Sequence, residues 1–296
     1  MREVRTDAHL HLWDLAGGGY GWLAEAPEAL RRNARWDAAA PQLDALGVER
    51  VVLVQADDTR ADTLAMQEAA TAIESSARSR PGATGVQCVD VVAWLPLADP
   101  GECARLLGDG TAMAHVVGVR QLIHDDPDPG VLDRAEVRES LGLLAARGLP
   151  LDVPDAFPRH LGQAARVAAE VEGLVVVLDH LGKPPLGDVA EMQEWERSLR
   201  GVAAQKGTVA KISGLSTSGR GFAASGALRT ALDLALEVFG PERLMFGSDW
   251  PIAPTPFDLG SGTGPLLELL GELPSEDRAE IMHGTAQRVY RRLSTA

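Results

Sequence analysis

The stretch TDAHLHLWD, residues 6–14, sets His9 and His11 one residue apart. Seven histidines serve 296 residues, so a close pair concentrates what imidazole chemistry the chain has. Such a pair can hold a divalent ion, polarise a substrate or fill a core site. Along an extended chain Asp7, His9 and His11 alternate with their neighbours and point to one face. His180 closes the run LVVVLDH with Asp179 before it, and Asp249 stands in RLMFGSDWP. Imidazoles grouped with one carboxylate can activate water and stabilise charge on a carbonyl oxygen. His9, His11, His180 and Asp249 are therefore the expected catalytic group. Arg120, Gln55, Trp13, His124, Lys211 and Trp250 are the expected substrate contacts. The planar fork of Arg120 suits a carboxylate or hydroxyl. Asp179 reads as an orienter, and Lys211 as a substrate contact or a neutraliser of a neighbouring carboxylate. Ser248 is not expected to be a nucleophile, because FGSDWP is not the G-x-S-x-G turn.

These residues must be brought together by elements far apart in the chain. Eight β-rich runs recur: 2–9, 49–56, 88–95, 115–122, 149–153, 174–180, 208–213 and 243–249. Several are nearly continuous valine-rich runs, the pattern of strands buried on both faces of a parallel sheet. Between them lie helical patterns. Leu228, Ala231, Leu232, Ala235, Leu236 and Phe239 keep one face, with Gly240 and Pro241 as the stop. Leu161, Ala164, Ala165 and Ala168 repeat the pattern earlier. Strand and helix alternating eight times in this length predict a single-domain (β/α)8 TIM barrel over 1–296. A doubly wound open sheet is the alternative. Functional groups of a barrel stand at the C-terminal strand ends, where the residues named above fall. Residues 15–42 read as a long insertion whose AGGGYGWL part covers the barrel mouth. GSGTGPLLELL, 260–270, reads as a flexible loop, since it lacks the Lys-Ser/Thr of a phosphate-binding loop.

The net charge of −14 argues against nucleic acid, which needs a basic surface. No run of roughly 18 apolar residues and no N-terminal apolar segment occur, so neither a membrane partner nor a secretory signal is expected. Cys88 and Cys103 form no metal spacing or disulfide framework, and a cytoplasmic location is expected. Cys88 lies in an apolar run and reads as a buried structural thiol.

The blocks DAHLHLWD, GVRQLI, VVVLDHLGKP, KISGL and RLMFGSDWP, in this order, resemble those of the amidohydrolase superfamily. More narrowly, they are similar to its branch of sugar-lactone and pyrone-dicarboxylate lactonases, including L-fuconolactonase and L-rhamnonolactonase. The tail GTAQRVYRRL resembles the closing segment of that branch. The resemblance implies the barrel, a hydrolase acting on a lactone, and a place in carbohydrate metabolism. It matches His9 and His11 to the first-strand pair, Arg120 to the fourth-strand arginine, His180 to the DHxGKP histidine, and Asp249 to the water-activating aspartate. Two departures bear on the substrate: SGLSTSGRGF has Thr217 and no acid, and no tryptophan follows soon after Pro251.

Binuclear members of the superfamily need a ligand on the fourth strand and a histidine on the fifth. Here those strands offer Arg120, which cannot ligate, and LPLDV. No cofactor is expected to be required. One zinc ion on His9, His11, His180 and Asp249 is chemically sound, and the sequence leaves its presence open. The expected partner is a small-molecule substrate, and the chain reads equally as monomer or homo-oligomer. The expected reaction is opening of a lactone, such as a sugar aldonolactone, with Asp249 as general base. A metal-dependent non-oxidative decarboxylase and a non-catalytic ligand-binding barrel are the competing readings.

Overall fold

A computed structural model of the chain describes residues 4–17, 19–79, 85–219 and 226–292. All eight strands form: β1 Arg5–Leu10, β2 Val48–Val54, β3 Cys88–Ala93, β4 Val116–Arg120, β5 Leu151–Val153, β6 Val176–Leu178, β7 Thr208–Ile212 and β8 Leu244–Phe246. Each pairs in parallel with the next, in chain order. β5, β6 and β8 have three residues each: β6 and β8 end early where the chain turns into the loops carrying His180 and Asp249, and β5 starts late, after Pro150. Residues 2–3 of the first expected run lie outside the described residues.

Helices fill the intervals: α1 Trp36–Leu46, α2 Arg60–Arg78, α3 Pro100–Leu107, α4 Ala135–Ala146, α5 Leu161–Glu170, α6 Val189–Ala203, α7 Ala227–Phe239 and α8 Leu259–Gly271. Their apolar stripes pack on the outer sheet face, as with Leu228, Ala231, Leu232, Ala235 and Phe239 of α7. The tail adds α9 Ser275–Ala279, a π turn Glu280–Gly284 and α10 Thr285–Val289. Among the described residues, no helix is long and apolar enough to cross a membrane.

The sheet closes where β1 meets the segment after β8. Asp249 N donates to His9 O at 2.8 Å, and His11 N donates to Trp250 O at 2.8 Å. Asp7 staples the same seam, since its Oδ1 accepts from Ser248 N at 2.8 Å and His9 N at 3.1 Å. β1 shifts register between Asp7 and Leu10, so plain alternation does not hold there. Ala8 packs in the barrel interior, and the Asp7 carboxylate turns to the seam and not to the cavity.

The interior is layered. Ala8, Val52, Val92, Val177, Met245 and the Tyr290 ring form an apolar lower layer. Above it Asp152, Lys211, Asp179, Arg120 and His9 bond across strands. Arg50 locks the tail under the barrel by pairing with Asp90 at 2.7 Å and donating to Tyr290 O.

Two further expectations change. The glycines of 260–270 lie inside α8. Asp258 caps it through Gly260 N at 3.0 Å, and Leu259, Thr263, Leu266 and Leu270 are buried. Gly262 lets this helix close on the site loops, as a Cβ there would sit 3.3 Å from the Ala253 Cβ. Cys88 is half-buried at the lower end of β3. Its Sγ lies 3.6 Å from Asp90 Oδ2, so it is not enclosed in the apolar core.

Trp195 of α6 ties the helix layer to the site. It is fully buried, and its Nε1 donates to Leu181 O at 2.8 Å, in the turn that carries His180. Trp195→Phe should lose roughly 1–3 kcal/mol in urea unfolding, since it leaves that carbonyl unpaired. Trp195→Ala should lose about 3–5 kcal/mol. A Trp195→Phe variant as stable as the parent would show that the hydrogen bond contributes nothing.

Candidate active site

A cavity of about 200 Å³ opens at the C-terminal strand ends. Its polar wall is His11, Arg120, His124, Asp155, His180, Lys183 and Asp249; Trp22, Leu122, Pro154 and Ile252 supply apolar surface. Asp249 is the focus. Its Oδ1 lies 3.5 Å from His11 Nε2, 3.6 Å from His9 Nε2 and 3.9 Å from His180 Nε2. Each group comes from a different strand end or from the β1–β8 seam, so only the closed barrel can assemble the set.

The loops holding these groups are conformationally constrained. Asp249 has φ 61°, His180 φ 55°, Leu181 φ 53° and Lys183 φ 63°, all left-handed and costing on the order of 1–3 kcal/mol each. The turns aim Asp249 and His180 at each other instead of continuing the strands. Gly214, with φ 56°, makes the space between them. A Cβ there would lie 2.5 Å from Asp249 Oδ2 and 2.7 Å from His180 Nδ1.

Hydrogen bonds fix the imidazoles. His11 Nδ1 stands 2.8 Å from Val54 O, which can only accept, so a neutral His11 presents a lone pair at Nε2. His180 Nδ1 bonds Ser213 Oγ at 2.8 Å. His9 Nδ1 faces Lys211 Nζ at 3.1 Å and Asp179 Oδ1 at 3.3 Å, and its Nε2 lies 3.0 Å from His11 Nε2. Arg120 donates to Asp179 Oδ2 at 3.0 Å and Gln55 O at 2.6 Å.

Burial, then the Lys211 charge, holds His9 well below the usual imidazole range, and burial also lowers His180. Both rings are neutral near pH 7. Burial alone would raise Asp249, but His180, His11 and His9 outweigh it and hold the carboxyl below its ordinary range. Burial likewise opposes the ionised form of Asp179; Lys211, His9 and Arg120 more than offset it.

A family profile described as amidohydrolase matches residues 6–292. The chain belongs to the amidohydrolase family. An L-fucono-1,5-lactonase of Burkholderia multivorans is 31% identical over 303 aligned positions, 98% of this chain and 97% of that one. An L-fucono-1,5-lactonase of Burkholderia ambifaria is 27% identical over 252 positions, 84% of this chain and 81% of that one. A crystal structure of an amidohydrolase from Burkholderia multivorans with bound zinc superimposes with a TM-score of 0.83 at 28% identity. That match covers 97% of this chain and 99% of the other.

Within this amidohydrolase site, the donor spacing fits one divalent ion. Nitrogens and oxygens about 2.0–2.2 Å from zinc in a tetrahedron stand roughly 3.3–3.6 Å apart. The His9–His11–Asp249 separations of 3.0, 3.5 and 3.6 Å are close to that, and all three residues are buried. A second ion lacks ligands on β4 and β5. Arg120 cannot ligate, and Asp152 Oδ2 is held by Lys211 at 2.6 Å and Tyr290 at 2.7 Å.

The structure sorts the residues expected from sequence. His11, His180, Asp249, Arg120 and His124 line the cavity. His9 does not; it is fully buried behind His11. Gln55 is buried too, donating to Asp58 at 2.9 Å and Arg120 O at 3.3 Å. Trp13 packs edge-on against Trp22, and Trp250 packs against Phe257. Lys211 is fully buried among carboxylates. These four support the wall and do not line it, a correction to direct substrate contact. Alternation and strand-end position cannot tell the lining layer from the layer below.

Trp22, Asp155 and Lys183 line the cavity and were not expected as site residues. Trp22 lies in the loop expected over the mouth. Asp155 and Lys183 stand two and five residues past their strands, in reach of a search extended into the βα loops.

Gly214→Ala should test the packing of this set. The added methyl must displace Asp249 or His180, so zinc affinity of the chelated protein should fall by about tenfold or more, as for disturbed ligand geometry. Isothermal titration with zinc gives the readout, and unchanged affinity would contradict the close approach.

Proposed function

We propose that the chain opens an uncharged polyhydroxylated lactone, of the aldonolactone class, by direct attack of water. The observation carrying this reading is the Asp249 carboxylate ringed by three imidazole nitrogens at the floor of the mouth cavity. The L-fucono-1,5-lactonases at 31% and 27% identity support the reaction class.

Water sits against Asp249 Oδ1, the acceptor facing the cavity beside His11. Asp249 takes one proton as the water oxygen bonds the carbonyl carbon. His180 Nε2–H and the Arg120 guanidinium stabilise the carbonyl oxygen as it gains charge. His9 acts from behind by holding His11. The ring C–O bond then breaks, and Asp249 returns its proton to the departing alkoxide. General-base action contributes about 10²–10⁴ in rate. A preorganised donor adds on the order of 10²–10³, enough for a lactone without a covalent nucleophile.

If one divalent ion is bound, His9, His11, His180 and Asp249 hold it, and it supplies Lewis-acid polarisation of the carbonyl. We read the ion as tolerated and not required, since the carbonyl oxygen already meets His180 and Arg120 as donors.

Substrate charge follows from the wall. Arg120 is tied to Asp179, and Lys183 lies 3.9 Å from Asp155. On the wall two cations, Arg120 and Lys183, meet two carboxylates, Asp155 and Asp249. Such a site suits hydroxyl groups better than a dicarboxylate, with Trp22 offering a face to the sugar ring. The cytoplasm is the proposed location, in keeping with the two unpaired cysteines.

Chelated enzyme should open five- or six-membered aldonolactones, followed by acid release, at no less than about half the untreated rate. Asp249→Asn should lower kcat/KM by about 10²–10⁴. Activity within about threefold of the parent would remove Asp249 as the base. Loss on chelation with restoration by zinc would overturn metal independence. A pyrone dicarboxylate turned over faster than every aldonolactone would overturn the substrate class.

A further inference from the structure

Beneath the cavity runs a buried polar chain that the proposed reaction does not use. Tyr290 starts it from the C-terminal tail, with its ring in the apolar lower layer. Gly118 of β4 makes room for that ring; a Cβ there would lie 3.1 Å from Tyr290 Cε1. Arg50 holds the backbone by donating to Tyr290 O and, at 3.4 Å, to Ala286 O. The phenol then reaches upward and donates to Asp152 Oδ2 at 2.7 Å.

The same oxygen receives Lys211 Nζ at 2.6 Å. Asp152 Oδ1 has no hydrogen-bond partner among the described residues, so Oδ2 carries both donors. Lys211 Nζ also lies 3.0 Å from Asp179 Oδ1 and 3.1 Å from His9 Nδ1. An ammonium only donates, and Lys211 stands closer to Nδ1 than the donor-only Arg120 Nη1 stands to Nε2, at 3.4 Å, so the His9 ring proton sits on Nε2. That nitrogen faces the His11 Nε2 lone pair at 3.0 Å.

We infer that Tyr290 is a positioning residue: through Asp152 it holds Lys211 against His9 Nδ1 and so keeps the His9 proton on the nitrogen facing His11. Without the phenol, Asp152 loses one of the two donors on Oδ2. The carboxylate is then free to rotate and present both oxygens to Lys211, drawing the ammonium from His9. Asp179 Oδ1, 3.3 Å from Nδ1, is the acceptor waiting for a proton there. The kinetic consequence rests on the role proposed for His11 and Asp249; the tautomer itself does not.

Tyr290→Phe keeps the ring and removes the hydroxyl. The full chain, chelated and labelled with ¹⁵N-histidine, is compared with the variant at neutral pH, with the His9 signals assigned from a His9→Gln sample. The parent should show His9 protonated at Nε2, and the variant should show about half or more of it at Nδ1. On an aldonolactone the variant kcat should fall about tenfold with KM within about twofold, since Arg120, Lys183 and Trp22 stay in place. An unchanged His9 tautomer in the variant overturns the inference whatever the activity. A tautomer switch in a protein that opens no lactone upholds it and removes the functional reading instead. If Tyr290→Phe does not fold, Gly118→Ala presses on the same ring. It should shift the tautomer in the same direction, and no shift overturns the inference.

Discussion

The backbone seam between β1 and the segment after β8 is the constraint on which the site depends. Two bonds, Asp249 N to His9 O and His11 N to Trp250 O, close the barrel. The same bonds bring the chain's first histidines to the Asp249 carboxylate, 240 residues away in the case of His9. Asp7 reinforces the seam from inside, with one oxygen on two backbone N–H groups. Burial pushes this carboxyl up to about 6, against the pull of Ser248 and His9. Fold closure and site assembly are thus one event, and whatever loosens the seam separates His11 from Asp249.

Above the apolar lower layer, the polar interior is organised by charge compensation. Arg120 and Lys211 are deeply buried, and each is paired with a carboxylate at 3.0 Å or less. Removing one member would strand its partner in a dry interior, which is far more costly than the pair is favourable. The network contributes orientation more than stability. It leaves the His9 and His180 rings neutral, and neutral rings can both donate and accept. The cavity floor therefore sets the Asp249 carboxylate beside the His180 ring and the Arg120 guanidinium.

The fold was legible because valine-rich strands and stripe-forming helices keep separate periods over the whole chain. Eight strands are in place within a few residues of where hydrophobic pattern puts them. Strand-end position was enough to bring His11, His180, Asp249 and Arg120 to one cavity. What pattern could not resolve was depth. His9, Gln55 and Lys211 share the strand-end signal with lining residues, yet the β1 register shift and cross-strand pairing put them one layer down. Trp22, Asp155 and Lys183 were missed because loop residues have no period to read. The helix at 259–271 was hidden by glycines that weaken propensity but permit close approach to Ala253.

Rigidity and strain are segregated along the barrel axis. At the lower end Arg50, Asp90, Glu74 and Arg292 knit the tail to β2, β3 and α2. At the upper end five non-glycine residues at or beside the cavity, Asp155, His180, Leu181, Lys183 and Asp249, have positive φ. Such strain persists only where surrounding contacts over-determine the conformation. Here those contacts are specific: Trp195 on Leu181 O, Ser213 on His180, and the seam on Asp249. Relaxing either left-handed turn would let His180 or Asp249 follow its strand direction and leave the cluster. The stability needed to prevent this comes from the packed lower barrel and helix layer, which can be altered without touching substrate. That division explains how the cavity-lining groups can sit on the least regular backbone of an otherwise regular fold.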